Sequence, residues 1–152
     1  MRSSSSGPPK LSSARASMIT KVCHIAVADL WGGAEVHLVT LLLSLSKIQD
    51  LEMSVVLFTE GRVAQEVRAA GLEVVVIAEH EHNLFVILWK LVKHFRKHQF
   101  MVVHAHKPKD NFLGGVACRL AGVPYLVRTL HGSWEPFSGF QHFKIKVYEH
   151  ID

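Results

Sequence analysis

The residues with chemical potential fall in three short stretches. The first reads Ala28-Asp29-Leu30-Trp31-Gly32-Gly33-Ala34-Glu35. Paired glycines let a backbone turn tightly and approach a ligand closely, and their amides, at the start of a helix, point at an anion such as a phosphate. The alternative is a turn that needs glycine for a positive φ. No third glycine follows at the spacing of the dinucleotide-binding fingerprint, and no Gly-Lys-Ser/Thr follows to make a P-loop. The second stretch is His104-Ala105-His106-Lys107. Residues at i and i+2 share a strand face, so these histidines can act together. They have the chemistry to ligate a metal with His131 or Asp110 as a third ligand, and His80 and His82 form a similar pair. The alternative is one histidine hydrogen-bonded in the core and the other facing a cleft. With no Cys/His set at finger spacing, no resident metal is expected. The third stretch is Thr129-Leu130-His131-Gly132-Ser133, where His131 suits a general-base or substrate-binding role. No Gly-x-Ser-x-Gly elbow surrounds Ser133, which is therefore not expected to be a nucleophile.

A fourth feature is a surface. Over Leu84 to His98 the apolar spacing predicts a helix with Leu84, Ile87, Leu88, Leu91, Val92 and Phe95 on one side. Lys90, Lys93, Arg96 and Lys97 take the other side, with Trp89 and Val86 among them. A basic face carrying a tryptophan suits contact with an anionic membrane surface; the alternative is an ordinary solvated face.

These residues need a frame, and the chain supplies one. Its 152 residues are enough for one domain with a core, and an apolar fraction of 49% with 20% charged residues is globular. No apolar run is long enough to span a membrane. The two cysteines, Cys23 and Cys118, sit in apolar stretches and suit packing, not a disulfide framework. The net charge of +4 belongs to the first residues: Arg2, Lys10, Arg15 and Lys21 are four of the 17 cations, leaving 13 against 13 acids. A nucleic-acid partner is therefore not expected. Residues 1–20 are assigned as a disordered tail, Ser/Pro-rich over residues 1–17 and without the apolar core of a secretory signal. Residues 21–152 are assigned as one folded domain.

Within that domain apolar runs predict strands at Val22–Ala28, Met53–Thr59, Glu73–Ala78, Phe100–His104 and Tyr125–Leu130. Helical spacing predicts helices at Ala34–Lys47, Val63–Ala70, Leu84–His98 and Asn111–Ala121, with another beginning at Gly139. In the first helix, Val36, Val39, Leu42 and Leu43 are expected to face inward. Strands that recur at the interval of a crossover helix, and are apolar rather than alternating, indicate an α/β fold with a doubly wound parallel sheet. In such sheets ligands bind beyond the carboxyl ends of the strands, which is where the three stretches fall.

Four motifs in register resemble a known family. Gly32-Gly33-Ala34-Glu35 after the first strand, Val102-Val103-His104-Ala105-His106 at the fourth, Arg119-Leu120-Ala121-Gly122-Val123-Pro124 before the fifth and Thr129-Leu130-His131-Gly132 closing it are similar to the N-terminal domain of glycosyltransferases of the GT-B fold. Retaining, family-four-type enzymes are the best match, over residues 21 to 152. Gly61 to Leu72 also resembles the helix and turn before the third strand in that family. The resemblance implies a Rossmann-like domain on the acceptor side of a cleft, in an enzyme of polysaccharide biosynthesis using a nucleotide-sugar donor and a glycan or lipid-linked acceptor. It places Gly32 and Gly33 near the donor diphosphate and His106 and His131 on the cleft wall, with Lys107 and Gly132 as further substrate contacts and His131 catalytic. It implies no cofactor and no covalent nucleophile, and a cytoplasmic location that includes peripheral contact with the inner membrane face. The family's second domain, with its Arg/Lys pair and glutamate motif, has no counterpart in this sequence. The chain is accordingly expected to be a fragment, inactive alone. A non-catalytic sugar- or nucleotide-binding module acting with another chain is the alternative. A dinucleotide oxidoreductase is disfavoured by the missing fingerprint and by Thr59, not an acid, at the end of the second strand.

Overall fold

The computed structural model describes residues 19–28 and 30–129. Five strands alternate with four helices: β1 (Thr20–Ala26), α1 (Gly33–Leu45), β2 (Leu51–Leu57), α2 (Arg62–Ala69), β3 (Glu73–Val76), α3 (Leu84–His98), β4 (Val102–Ala105), α4 (Pro108–Ala121) and β5 (Tyr125–Arg128). The sheet order is β3-β2-β1-β4-β5 and every pairing is parallel. The order reverses at β1, which makes a switch point between the carboxyl ends of β1 and β4. The expected doubly wound α/β sheet is the one observed.

Alternation along the central strands divides the core in two. Cys23, Ile25, Val56, Phe58, Val103 and Ala105 pack with Ile87, Leu91 and Phe95 of α3 and Leu113 and Ala117 of α4. The opposite face places Ala26, Met53, Val55 and Leu57 under Leu38, Val39 and Leu42 of α1 and Val63, Ala64 and Val67 of α2. His24, His104 and His106 belong to this second face by alternation. At Gly114 a Cβ would sit 2.5 Å from Ile25 Cδ1, so α4 lies against β1 at a distance that excludes side chains.

Several boundaries move. β1 and β2 begin two residues earlier than expected, and β4 two later. α4 begins at Pro108, not Asn111, because proline fits the first turn, where its missing N–H has no intrahelical partner anyway. The inward face of α1 is corrected: Glu35, Leu38, Val39 and Leu42 are buried, whereas Val36 and Leu43 are exposed. That helix is apolar on more than one side, so spacing alone could not choose its face. β5 carries exposed Tyr125 and Val127, unlike the strands buried on both faces. Residues 1–18 of the assigned tail, the helix expected from Gly139, and Asp29, His131, Gly132 and Ser133 lie outside the described residues.

Candidate active site at the switch point

The carboxyl ends of β1 and β4 converge on the opening turns of α1 and α4. Gly32 caps α1 with extended backbone, φ −142°, and the positive-φ glycines among the described residues are Gly71 and Gly122. A Cβ on Gly33 would meet nothing within 4 Å. The turn therefore does not need glycine for its conformation. At Gly33 the bare backbone leaves room for a group to approach closely. Glu35, in the first turn, reaches back so that its Oε2 accepts the Gly32 N–H at 3.1 Å. Its Oε1 receives the Lys107 ammonium at 2.9 Å, joining the β4 loop to the α1 cap. Burial raises the Glu35 pKa, but the hydrogen bonds from Lys107 and Gly32 outweigh it, and the carboxyl ends below its ordinary value. A small crevice here is lined by Ala34, Glu35, His106 and Lys107, among others. A larger cleft of about 280 Å³ between α4 and β5 contains none of these residues.

Behind the crevice lies a buried polar layer. Register sets His24 opposite His104, and His106 follows just beyond β4. His24 Nδ1 and His106 Nε2 are 3.2 Å apart, and His104 Nε2 is 2.7 Å from Thr129 Oγ1. Burial, followed by the neighbouring His104, lowers the His24 pKa to about 3, so its ring is neutral at physiological pH. Asp110, fully buried in the first turn of α4, accepts the Val27 N–H on Oδ2 at 3.0 Å, while its Oδ1 has no hydrogen-bond partner. Burial raises its pKa to about 7, against the lowering effect of the Val27 N–H and Lys107.

The structure thus brings Gly32, Gly33, His106 and Lys107 to one place. It corrects the exposure of one of them. The resemblance places His106 on the cleft wall, yet it is only 3% exposed, because its ring turns in against His24. His104, on the same strand face, is half-buried and ties β4 to the end of β5 through Thr129. Asp110, considered as a ligand beside these histidines, is not a member of the nitrogen cluster that they form; His24 is. Sequence reasoning missed His24, Glu35 and Thr129 as participants. The signal for His24 was present, as a polar interruption of an apolar strand, but only register identifies its partner.

On α3 the basic face is only partly as expected. Trp89 is 60% exposed with Lys93 Nζ 5.1 Å from its ring centroid. Lys97 is exposed, whereas Lys90 contacts His82 and Arg96 donates to the Leu120 carbonyl at 2.7 Å. Val86 is half-buried, and Leu84, expected inside, is exposed beside Phe85 at 80%.

Comparison with known proteins agrees with this architecture. The model of Glycosyltransferase Family 4 matches residues 31–151. An Escherichia coli UDP-Gal:alpha-D-GlcNAc-diphosphoundecaprenol alpha-1,3-galactosyltransferase is 47% identical over 47 residues, 31% of this chain and 11% of that protein. The crystal structure of Anabaena HepE in complex with UDP and glucose superposes with a TM-score of 0.65 at 21% identity, over 87% of this chain and 35% of that one. A glycosyltransferase from Rickettsia africae superposes with a TM-score of 0.64 at 16% identity, over 85% of this chain and 34% of that one. The chain thus spans about a third of the length of these solved structures.

Proposed function

The chain belongs to glycosyltransferase family 4, and on that premise we propose that it forms the acceptor-side half of a nucleotide-sugar-dependent, retaining glycosyltransferase. The observation that carries the reading is the Gly32–Gly33 turn. It opens α1 at the switch point, has no positive φ to require glycine, and at Gly33 has open space where a side chain would stand. First-turn amides and a bare backbone suit a diphosphate, and the departing nucleotide diphosphate is the charge that such a reaction must stabilise. Lys107 offsets the Glu35 carboxylate that would otherwise repel that anion. The buried histidine layer holds the β4 loop, and His131, two residues beyond Thr129, would meet the transferred sugar. Transfer chemistry of this kind rests on charge stabilisation and positioning, not on a nucleophile of the protein.

The groups that hold the nucleotide are expected on a second domain, so this chain alone should show no transfer. Purified protein is incubated with labelled nucleotide-sugars and candidate glycan and lipid-linked acceptors, first alone and then with a donor-binding domain supplied. Transfer only in the second case, with the anomeric configuration of the donor kept in the product, is the expected result. Sustained transfer by the chain alone would sink the two-domain reading. Inversion would sink the retaining one.

A lipid-linked acceptor would bring the domain to a membrane. Among the described residues no helix is long and apolar enough to cross one. Surface contact is supported by Phe85 and Trp89, exposed one turn apart, with Lys93 and Lys97 on the same helix. Each cation near an anionic bilayer is worth about 1 kcal/mol, so attachment should be reversible and salt-sensitive. Protein starting at Met18 is expected to sediment with anionic vesicles at low salt and to leave them at high salt. Phe85→Ser with Trp89→Ala should abolish this. Equal partitioning to neutral vesicles, or no effect of the double substitution, would make α3 an ordinary solvated face.

A further inference from the structure

We propose that His24, His104 and His106 form a binding site for a divalent transition-metal ion of the zinc class, a site that the glycosyl-transfer reading does not require. One nitrogen from each ring lies within 4.8 Å of the other two. The closest pair, His24 Nδ1 and His106 Nε2, is 3.2 Å apart. Two nitrogens on a tetrahedral ion at about 2.0–2.1 Å are separated by about 3.4 Å, so this pair already stands at the spacing of two ligands. The ring centroids are 5.1, 5.5 and 4.2 Å apart. Three imidazoles radiating from one ion would hold centroids about 5 Å apart, so only the His104–His106 pair must open.

The outer contacts suit ligation. His104 Nε2 is held by the Thr129 hydroxyl, and when that oxygen accepts the Nε2–H, the ring's lone pair is on Nδ1. His24 and His106 are 1% and 3% exposed, and His104 is half-buried, so an ion would be reached from the His104 side. Three imidazoles without a carboxylate select zinc, cobalt, nickel or copper over magnesium, calcium or manganese. The ion would be chemically distinct from a hard cation bound to a diphosphate. Because the register opposes His24 to His104, it would pin β1 to β4 just beneath the Gly32–Gly33 turn.

The test is zinc and cobalt binding by the full chain, stripped with chelator, both folded and refolded with metal. We expect one zinc ion per chain, a higher melting temperature with zinc and no such rise with magnesium. Cobalt should produce visible absorption bands of a low-coordinate site. His24→Gln and His104→Gln should each weaken binding by at least about tenfold, the scale of losing a metal's support. His80→Gln with His82→Gln should leave it unchanged. Imidazole nitrogen resonances of the unsubstituted chain give a readout that does not depend on the variants folding. Those of His24, His104 and His106 should shift together on adding zinc. The proposal is overturned if the chain binds no zinc even when refolded with it, if a folded His24→Gln binds as tightly, or if the shifts fall on His80 and His82 or on His94 and His98 instead.

Discussion

Gly33→Val is expected to lower sugar transfer by about 100-fold, the scale of a misplaced reactant, while changing stability by no more than about 0.5 kcal/mol. The pairing of a large functional effect with a small structural one follows from the site. A Cβ at position 33 meets no atom within 4 Å, and the backbone there does not occupy the left-handed region. The fold therefore tolerates a side chain, while a ligand lying on the turn would not. Gly32→Ala separates the two effects less cleanly, since its Cβ would stand 3.3 Å from Glu35 Oε2 and disturb the cap. Transfer is measured with the donor-binding domain supplied, and stability by thermal melting. His131→Ala should also lower turnover with unchanged melting. If both Gly33→Val and His131→Ala keep near-normal rates, the site has been placed wrongly.

The second large effect is on stability, at Asp110. Its carboxyl has a native pKa of about 7 against an ordinary 3.8, because burial disfavours the charged form. The native state therefore holds a proton that the unfolded chain releases as pH rises through about 4. Stability contributed by this group is complete below about pH 4 and is lost as pH rises toward 7. A shift of about three units corresponds to about 4 kcal/mol. Asp110→Asn cannot ionise, and its side-chain oxygen still accepts the Val27 N–H. Relative to the unsubstituted chain the variant should gain about 4 kcal/mol between pH 4 and pH 8. His24 acts in the opposite direction: its lowered pKa gives stability present above pH 6.5 and lost on acidification toward 3. That contribution is common to both proteins and cancels in their difference. Urea unfolding of the two across this range is the measurement, and a pH-independent difference would show that Asp110 is ionised throughout in the native state.

Much of this was legible before any coordinates. Parallel α/β order follows from local chemistry: apolar runs such as Val74-Val75-Val76-Ile77 favour strands, and Gly122 with Pro124 ends a helix. α3 occupies Leu84–His98 as its spacing predicts, because Asn83 caps it by accepting the Val86 N–H and the apolar stripe continues to Phe95. α1 shows the limit. Its many apolar residues fit more than one face, and only packing on Leu57 and Val63 selects Leu38 and Leu42 over Val36 and Leu43.

The sequence by itself determined the order of the elements and, to within about two residues, where the strands end, because strand propensity and turn chemistry are local properties. It thereby located the Gly32–Gly33 turn, His106 and Lys107 on one rim of the sheet. Tertiary structure decided what those residues touch. Parallel register, a contact between segments far apart in the chain, set His24 opposite His104. It brought Lys107 onto Glu35 across 72 positions and Asp110 onto the Val27 amide across 83. It also turned His106 inward, where the family resemblance had put it on the cleft wall. The reason is physical. A periodicity of two says that residues share a face, but burial and ionisation depend on what the opposing strands and helices bring to that face, and no local pattern encodes the partner.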